Sequence, residues 1–131
     1  MKAVAIYEFG GPDVLTVADI DVPEPGSGEV RVRVTAATVN PTDIGMRSGA
    51  TAATLEAFPK PYVPGMELAG TVDALGPDTS GFAVGDRVLG IMVPGRTGRG
   101  AQSEFVVLPA ASLAGVPVGS SLEEAATKHA G

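Results

Sequence analysis

Asn40, Thr42 and Asp43 crowd around Pro41 in "VNPTDIGMRSG", residues 39–49, directly after the most regular alternating run of the chain. A carboxamide and a hydroxyl can donate hydrogen bonds to a carbonyl oxygen, which suits a site that polarises a substrate. The same residues have a purely structural explanation. Asn40 or Thr42 can cap a one-turn helix, with Pro41 near its first position, Asp43 in its first turn and Gly49 just past its end. Both explanations stand on these residues alone.

Glu67 follows Pro64-Gly65-Met66 at the head of an apolar run, which puts its carboxylate at the mouth of a fold. Near Arg47 it would either form a structural ion pair or tune a site. Other chemistries find few residues to use. The chain has no cysteine, so it can form neither a disulfide framework nor a thiolate metal site. Its one histidine, His129, lies two residues from the end, where an oriented, packed imidazole is not expected. A zinc site would have to be built mostly from carboxylates. The glycine-rich "GRTGRG" at 95–100 lacks the G-x-G-x-x-G spacing and the Lys-Ser/Thr of a P-loop, and reads as a flexible hairpin.

Nine basic residues against fifteen acidic ones give a net charge of −6, which argues against nucleic acid or an anionic membrane as partner. Arg96 and Arg99 form the one notable basic pair, too little for a patch. No apolar run approaches the ~20 residues of a membrane span, and "MKAVAIYEFGG" carries charge and glycine too early for a signal peptide. A cytoplasmic, soluble protein is the expectation.

The residues around Pro41 need a scaffold, and the chain offers short strands. In "EVRVRVTAATVN", Val30, Val32 and Val34 alternate with Arg31 and Arg33, a period of two with one wet face. "KAVAIYEF", "MELAGTVDALG", "RVLGIM" and "SEFVVLP" read as further strands, with a bulge or close backbone approach expected at Gly70. The 18 glycines and 11 prolines are dispersed between these runs, as turns rather than as a linker. Two helical pieces are expected, one within Thr42–Ser48 and one in "SSLEEAATKH", capped by Ser120 or Ser121. Six or more short strands at regular spacing predict one antiparallel barrel or sandwich domain.

"MKAVAIYEFGGPDVL", "EVRVRVTAATVNPTD", "PGMELAGTVDALG", "FAVGDRV" and "SEFVVLP" occur in the order found in medium-chain dehydrogenases/reductases. Over nearly all of residues 1–127 the chain resembles their N-terminal catalytic domain. "NPTDIGMRSG" looks most like the zinc-independent quinone oxidoreductase branch, related to zeta-crystallin. The resemblance implies a mainly β fold for residues 1–131, a GroES-like partly open β-barrel with short helices.

It also implies roles. Zinc alcohol dehydrogenases have a cysteine ligand where this chain has Asn40 and a histidine ligand where it has Met66, so both metal ligands are replaced. Thr42 aligns with a hydroxyl that relays a proton in the zinc enzymes, and Asp43 and Glu67 with carboxylates that shape the site. The resemblance thus implies Asn40, Thr42 and Asp43 as catalytic, and Asn40, Thr42 and Arg47 beside the cofactor. Met66, Glu67 and Tyr62 are its candidates for the substrate cleft. Several relatives have a tyrosine shortly after the Ser-Gly element, used by enoyl reductases as a proton donor. Here the segment reads "ATAATLEAFPKPY" and Tyr62, the nearest, comes late, which leaves the donor unassigned.

The implied reaction is zinc-free hydride transfer from NADPH to a quinone or enone. In the family the "SLEEAAT" helix leads into a Rossmann domain that binds most of the cofactor, and residues 1–131 contain no such domain. The chain by itself is therefore expected to bind NADPH weakly and to be inactive, a truncated form or a subunit needing that domain in cis or in trans. The alternative is a standalone GroES-like module for interaction or assembly, with a vestigial site.

Overall fold

Valines alternating with arginines give the central strand β3, Glu29–Ala37. Val30 and Val32 are fully buried, while Arg31 and Arg33 lie on the opposite face, as a two-residue period requires. Arg31 is held there: its Nε donates to Asp73 Oδ2 at 2.7 Å and its Nη1 to Pro23 O at 3.2 Å. Its guanidinium stands 5.9 Å from the centre of the Phe105 ring.

The computed structural model describes residues 1–94, 97–117 and 119–130, and within them all side chains but those of 42 and 127–130. β1 (Lys2–Ile6) and β2 (Leu15–Asp19) form one antiparallel hairpin. β4 (Glu67–Leu75), β5 (Arg87–Ile91), β6 (Phe105–Pro109) and β7 (Leu113–Gly115) join β3 in an antiparallel sheet of order β6-β3-β4-β5-β7. Isolated bridges, Ala3 to Ser103 and Ile6 to Tyr62, stitch the hairpin to the rest. Both sheets stay open, so the mainly β, partly open architecture implied by the resemblance is the one observed.

The β3–β4 pairing shifts register between Arg31 and Val32 and again between Val34 and Ala36. Gly70 faces the second shift: a Cβ there would lie 2.1 Å from the Arg33 carbonyl oxygen, so the approach expected from its glycine is real. One core gathers Val30, Val32, Leu68, Val72, Val88, Val106 and Leu108 between the strands. Each such side chain contributes roughly 1.5–3 kcal/mol by leaving water. A second core, Ile6, Met46, Leu55 and Tyr62, lies under the helical segment after β3.

Helix α1 runs Pro41–Ser48, with Asn40 at the N-cap, Pro41 first and Gly49 in the left-handed conformation at its end. A single turn, α2 (Ala52–Leu55), follows it. It was not expected, and neither was β7: each is too short to carry a period, and tertiary contacts decide both. Helix α3 (Leu122–Ala130) is capped by Ser121, whose Oγ accepts from Glu124 N at 3.0 Å. Ala125 and Ala126 are buried against Ala69, so the sheet covers this part of α3. The His129 side chain, and Arg96 of the basic pair, lie outside the described residues.

Candidate active site

Asp43 is the joint of the site. It occupies the third position of α1 and is 9% exposed, with Gly65, just before β4, and Gln102 against its carboxylate. Its Oδ2 accepts from Asn40 N at 2.8 Å, one arm of the α1 capping box. Its Oδ1 accepts from Gly65 N at 3.0 Å, and Oδ2 also from Gln102 Nε2 at 3.3 Å. Gly65 has φ +106°, and a Cβ there would lie 3.0 Å from the backbone nitrogens of both Ala101 and Gln102. Glycine is what lets these two segments meet.

The segments are stitched by their backbones as well. Val63 N donates to Gly98 O at 2.9 Å, Ala101 N to Gly65 O at 2.9 Å, and Gln102 N to Pro64 O at 3.0 Å. The described part of the glycine-rich loop is thus fastened to the fold, whereas its composition suggested a flexible hairpin. Residues 95 and 96 of that loop lie outside the described residues.

Asn40 is at the N-cap, where its side chain meets the N3 backbone as the other arm of the capping box, and its amide nitrogen has a separate partner. Nδ2 donates to Thr38 Oγ1 at 3.0 Å, and Thr38 Oγ1 in turn donates to Glu67 Oε2 at 3.0 Å. Thr38 is fixed at both backbone groups: its N–H donates to Glu67 O at 3.1 Å, and its carbonyl accepts from Gln102 Nε2 at 3.4 Å. The sequence contains one asparagine and one glutamine, and both carboxamides converge here. Neither Thr38 nor Gln102 stood out in the sequence. Gln102 is 59 residues from Asp43, and only its rarity as a residue type could have flagged it.

Beside this network lies a hollow of about 250 Å³. Met46, Leu55, Met66, Val93 and Pro94 form its apolar wall, with Asp43, Thr51 and Thr54 as the polar groups. Asn40 and Glu67 are not among its lining residues; they are half-buried on the adjoining surface, next in the chain or network to Asp43 and Met66. The Thr42 side chain lies outside the described residues. A wider hollow of about 420 Å³ opens under the β1–β2 hairpin, lined largely by Val4, Val17, Val34, Ala36 and Ala37. Of the polar network only Gln102 reaches it, so the smaller hollow is the better candidate.

Two candidates sit elsewhere. Tyr62 is 2% exposed, stacks 5.9 Å from Phe9 and donates its hydroxyl to Phe58 O at 3.3 Å. It is a core residue and not part of the hollow's lining. Arg47 lies in the last turn of α1, where its carbonyl accepts from Gly10 N at 2.8 Å; it forms no ion pair with Glu67, whose partner is Thr38. Among the described residues no three His, Cys, Asp or Glu side chains cluster to hold a metal ion. Among the same residues no helix is long and apolar enough to cross a membrane.

Residues 26–118 match the alcohol dehydrogenase GroES-like domain. Quinone oxidoreductase from Homo sapiens is 44% identical over 90 residues, which are 67% of this chain and 26% of that protein. The structure of an NAD-dependent alcohol dehydrogenase superposes with a TM-score of 0.87 at 40% identity, covering 96% of this chain and 42% of that one. A mycobacterial protein solved in complex with NADPH superposes with a TM-score of 0.78 at 36% identity, covering 93% and 35% respectively. The chain spans about a quarter of the length of the curated quinone oxidoreductases it matches. With the family match over most of its length and its polar joint at the start of α1, the chain belongs to the alcohol dehydrogenase GroES-like domain family, in the quinone oxidoreductase branch of the medium-chain dehydrogenases/reductases.

Proposed function

We propose that the chain forms the substrate-side half of an NADPH-dependent quinone or enone oxidoreductase that works without zinc. The observation that carries this reading is the polar joint of Asn40, Asp43 and Glu67 beside an apolar hollow of about 250 Å³. An apolar wall suits a flat, weakly polar ring, and a few converging polar groups suit its carbonyl. The quinone and the NADPH are taken from what the human relative and the mycobacterial neighbour are named for.

The zinc-free part rests on the donor set. The chain has no cysteine and one histidine, and Asn40 and Met66 stand where the resemblance puts zinc ligands. When bound, NADPH supplies the hydride, and most of its contacts belong to a nucleotide-binding unit in cis or in trans. This chain's residues bind and orient the acceptor. Asn40 and Thr42 donate to its carbonyl oxygen, and charge developing there in the transition state strengthens those bonds. Asp43 holds the start of α1 so that the donors stay aimed, and Met66 packs against the ring. Arg47 stands on the cofactor side, and Glu67 shapes the cleft.

The test joins the chain to the nucleotide-binding domain of a related quinone oxidoreductase and follows NADPH and NADH oxidation with a benzoquinone. Quinone-dependent oxidation, faster with NADPH and lowered about tenfold or more in N40A, is the expected result. In the unjoined chain, fluorescence titration should show NADPH binding weaker than micromolar. Activity insensitive to N40A, or micromolar binding by the unjoined chain, overturns the respective part of the reading. If the joined protein is wholly inactive, the interaction module is the better account.

A further inference from the structure

We propose that Thr38 is a positioning residue for Asn40: its hydroxyl passes the direction of the Glu67 carboxylate on to the Asn40 carboxamide. The proposal takes its functional meaning from the reading of Asn40 as a donor to the substrate, but its geometry stands without that reading. Thr38 Oγ1 is the donor in its 3.0 Å contact with Glu67 Oε2, which consumes the one hydroxyl proton. Thr38 Oγ1 can then only accept in its other 3.0 Å contact, which is with Asn40. The carboxamide must therefore turn its nitrogen to Thr38, because its oxygen would set lone pair against lone pair.

The hydroxyl cannot drift from this post. Ala37 ends β3, and Thr38, the next residue, is tied through its N–H to Glu67 O at 3.1 Å and through its carbonyl to Gln102 Nε2 at 3.4 Å. One N–H of Asn40 is committed to Thr38, and Nδ2 keeps a second. A carboxamide with one orientation is a donor set in advance, whereas one free to flip would offer its oxygen to a carbonyl part of the time.

The sequence provides a clean readout. With one asparagine and one glutamine, the uniformly nitrogen-labelled chain shows two side-chain NH2 pairs by NMR, those of Asn40 and Gln102. Thr38→Val removes the hydroxyl at nearly constant shape, and Thr38→Ser keeps it. The expected result is an Asn40 pair that moves and exchanges faster with solvent in T38V and stays near its native position in T38S. The Gln102 pair stays in place in both, because its Thr38 acceptor is the backbone carbonyl. T38A serves as a second hydroxyl-free variant should valine disturb the fold, judged by the backbone amide pattern.

An Asn40 pair unmoved by loss of the hydroxyl, or moved equally in T38S, overturns the proposal. These spectra need no cofactor, so they decide the relay independently of activity. Loss of quinone reduction in the joined protein would count against the oxidoreductase reading alone. Where that activity is present, T38V should lower kcat about tenfold with KM little changed, and T38S should restore it.

Discussion

Asp43 Oδ1 accepts the backbone N–H of Gly65 at 3.0 Å, tying the first turn of α1 to the turn that launches β4. One carboxylate thereby holds the start of α1 against the segment that carries Met66, which lines the hollow. Removing it should do two kinds of damage. D43A leaves the half-buried N–H of Asn40 and the buried N–H of Gly65 without their acceptor, and a buried donor so orphaned costs about 1–3 kcal/mol. Urea unfolding should show a loss of about 3 kcal/mol; a loss below about 1 kcal/mol would mean the joint relaxes without it.

Gly65 is the other half of the joint. G65A asks an alanine to hold φ +106° with its Cβ 3.0 Å from two backbone nitrogens. The expected cost is about 1–3 kcal/mol. Since both substitutions open the same contact, the double variant D43A/G65A should lose less than the sum of the two. Strict additivity in the cycle would show that the two residues act separately.

The hollow can be filled from its rim. Thr54 is exposed on α2 and lines the hollow together with Met66 and Val93. T54F should raise KM for a benzoquinone in the joined enzyme while changing the unfolding free energy by about 0.5 kcal/mol or less. An unchanged KM would move the substrate away from this hollow.

At the far end of the chain's first hairpin, Lys2 Nζ lies 2.7 Å from Asp19 Oδ2, on directly paired residues of β1 and β2. The hydrogen bond and charge of Lys2 hold the Asp19 carboxyl below the usual carboxylate range. Its folded pKa is depressed, so its contribution to stability is present above the unfolded value and lost as pH falls through the folded one. NMR titration should show Asp19 returning towards its ordinary value in K2M. An Asp19 titration indifferent to K2M would remove Lys2 as the cause.

The local features of this fold were written in short stretches of sequence. Val30 and Val32 alternate with arginines and are buried; Pro41 and Gly49 bracket α1; Ser121 caps α3. In each case neighbouring residues within one turn or one pleat supply the cause, so the chain needs no distant information to declare it. The absence of cysteine limited the metal chemistry in the same direct way.

Only the tertiary structure decided who meets whom. It placed Tyr62, a cleft candidate through the family resemblance, in the second core and outside the lining of the hollow. It gave the Asn40 amide nitrogen Thr38 as its acceptor, and it carried Gln102 across 59 residues to Asp43. Such contacts depend on sheet register and on where backbones approach, as at Gly65 and Gly70, and these are properties of paired segments. Residue types in "VNPTDIGMRSG" set which bonds the turn can make, and the packing of β3, β4 and the 98–102 segment chose among them.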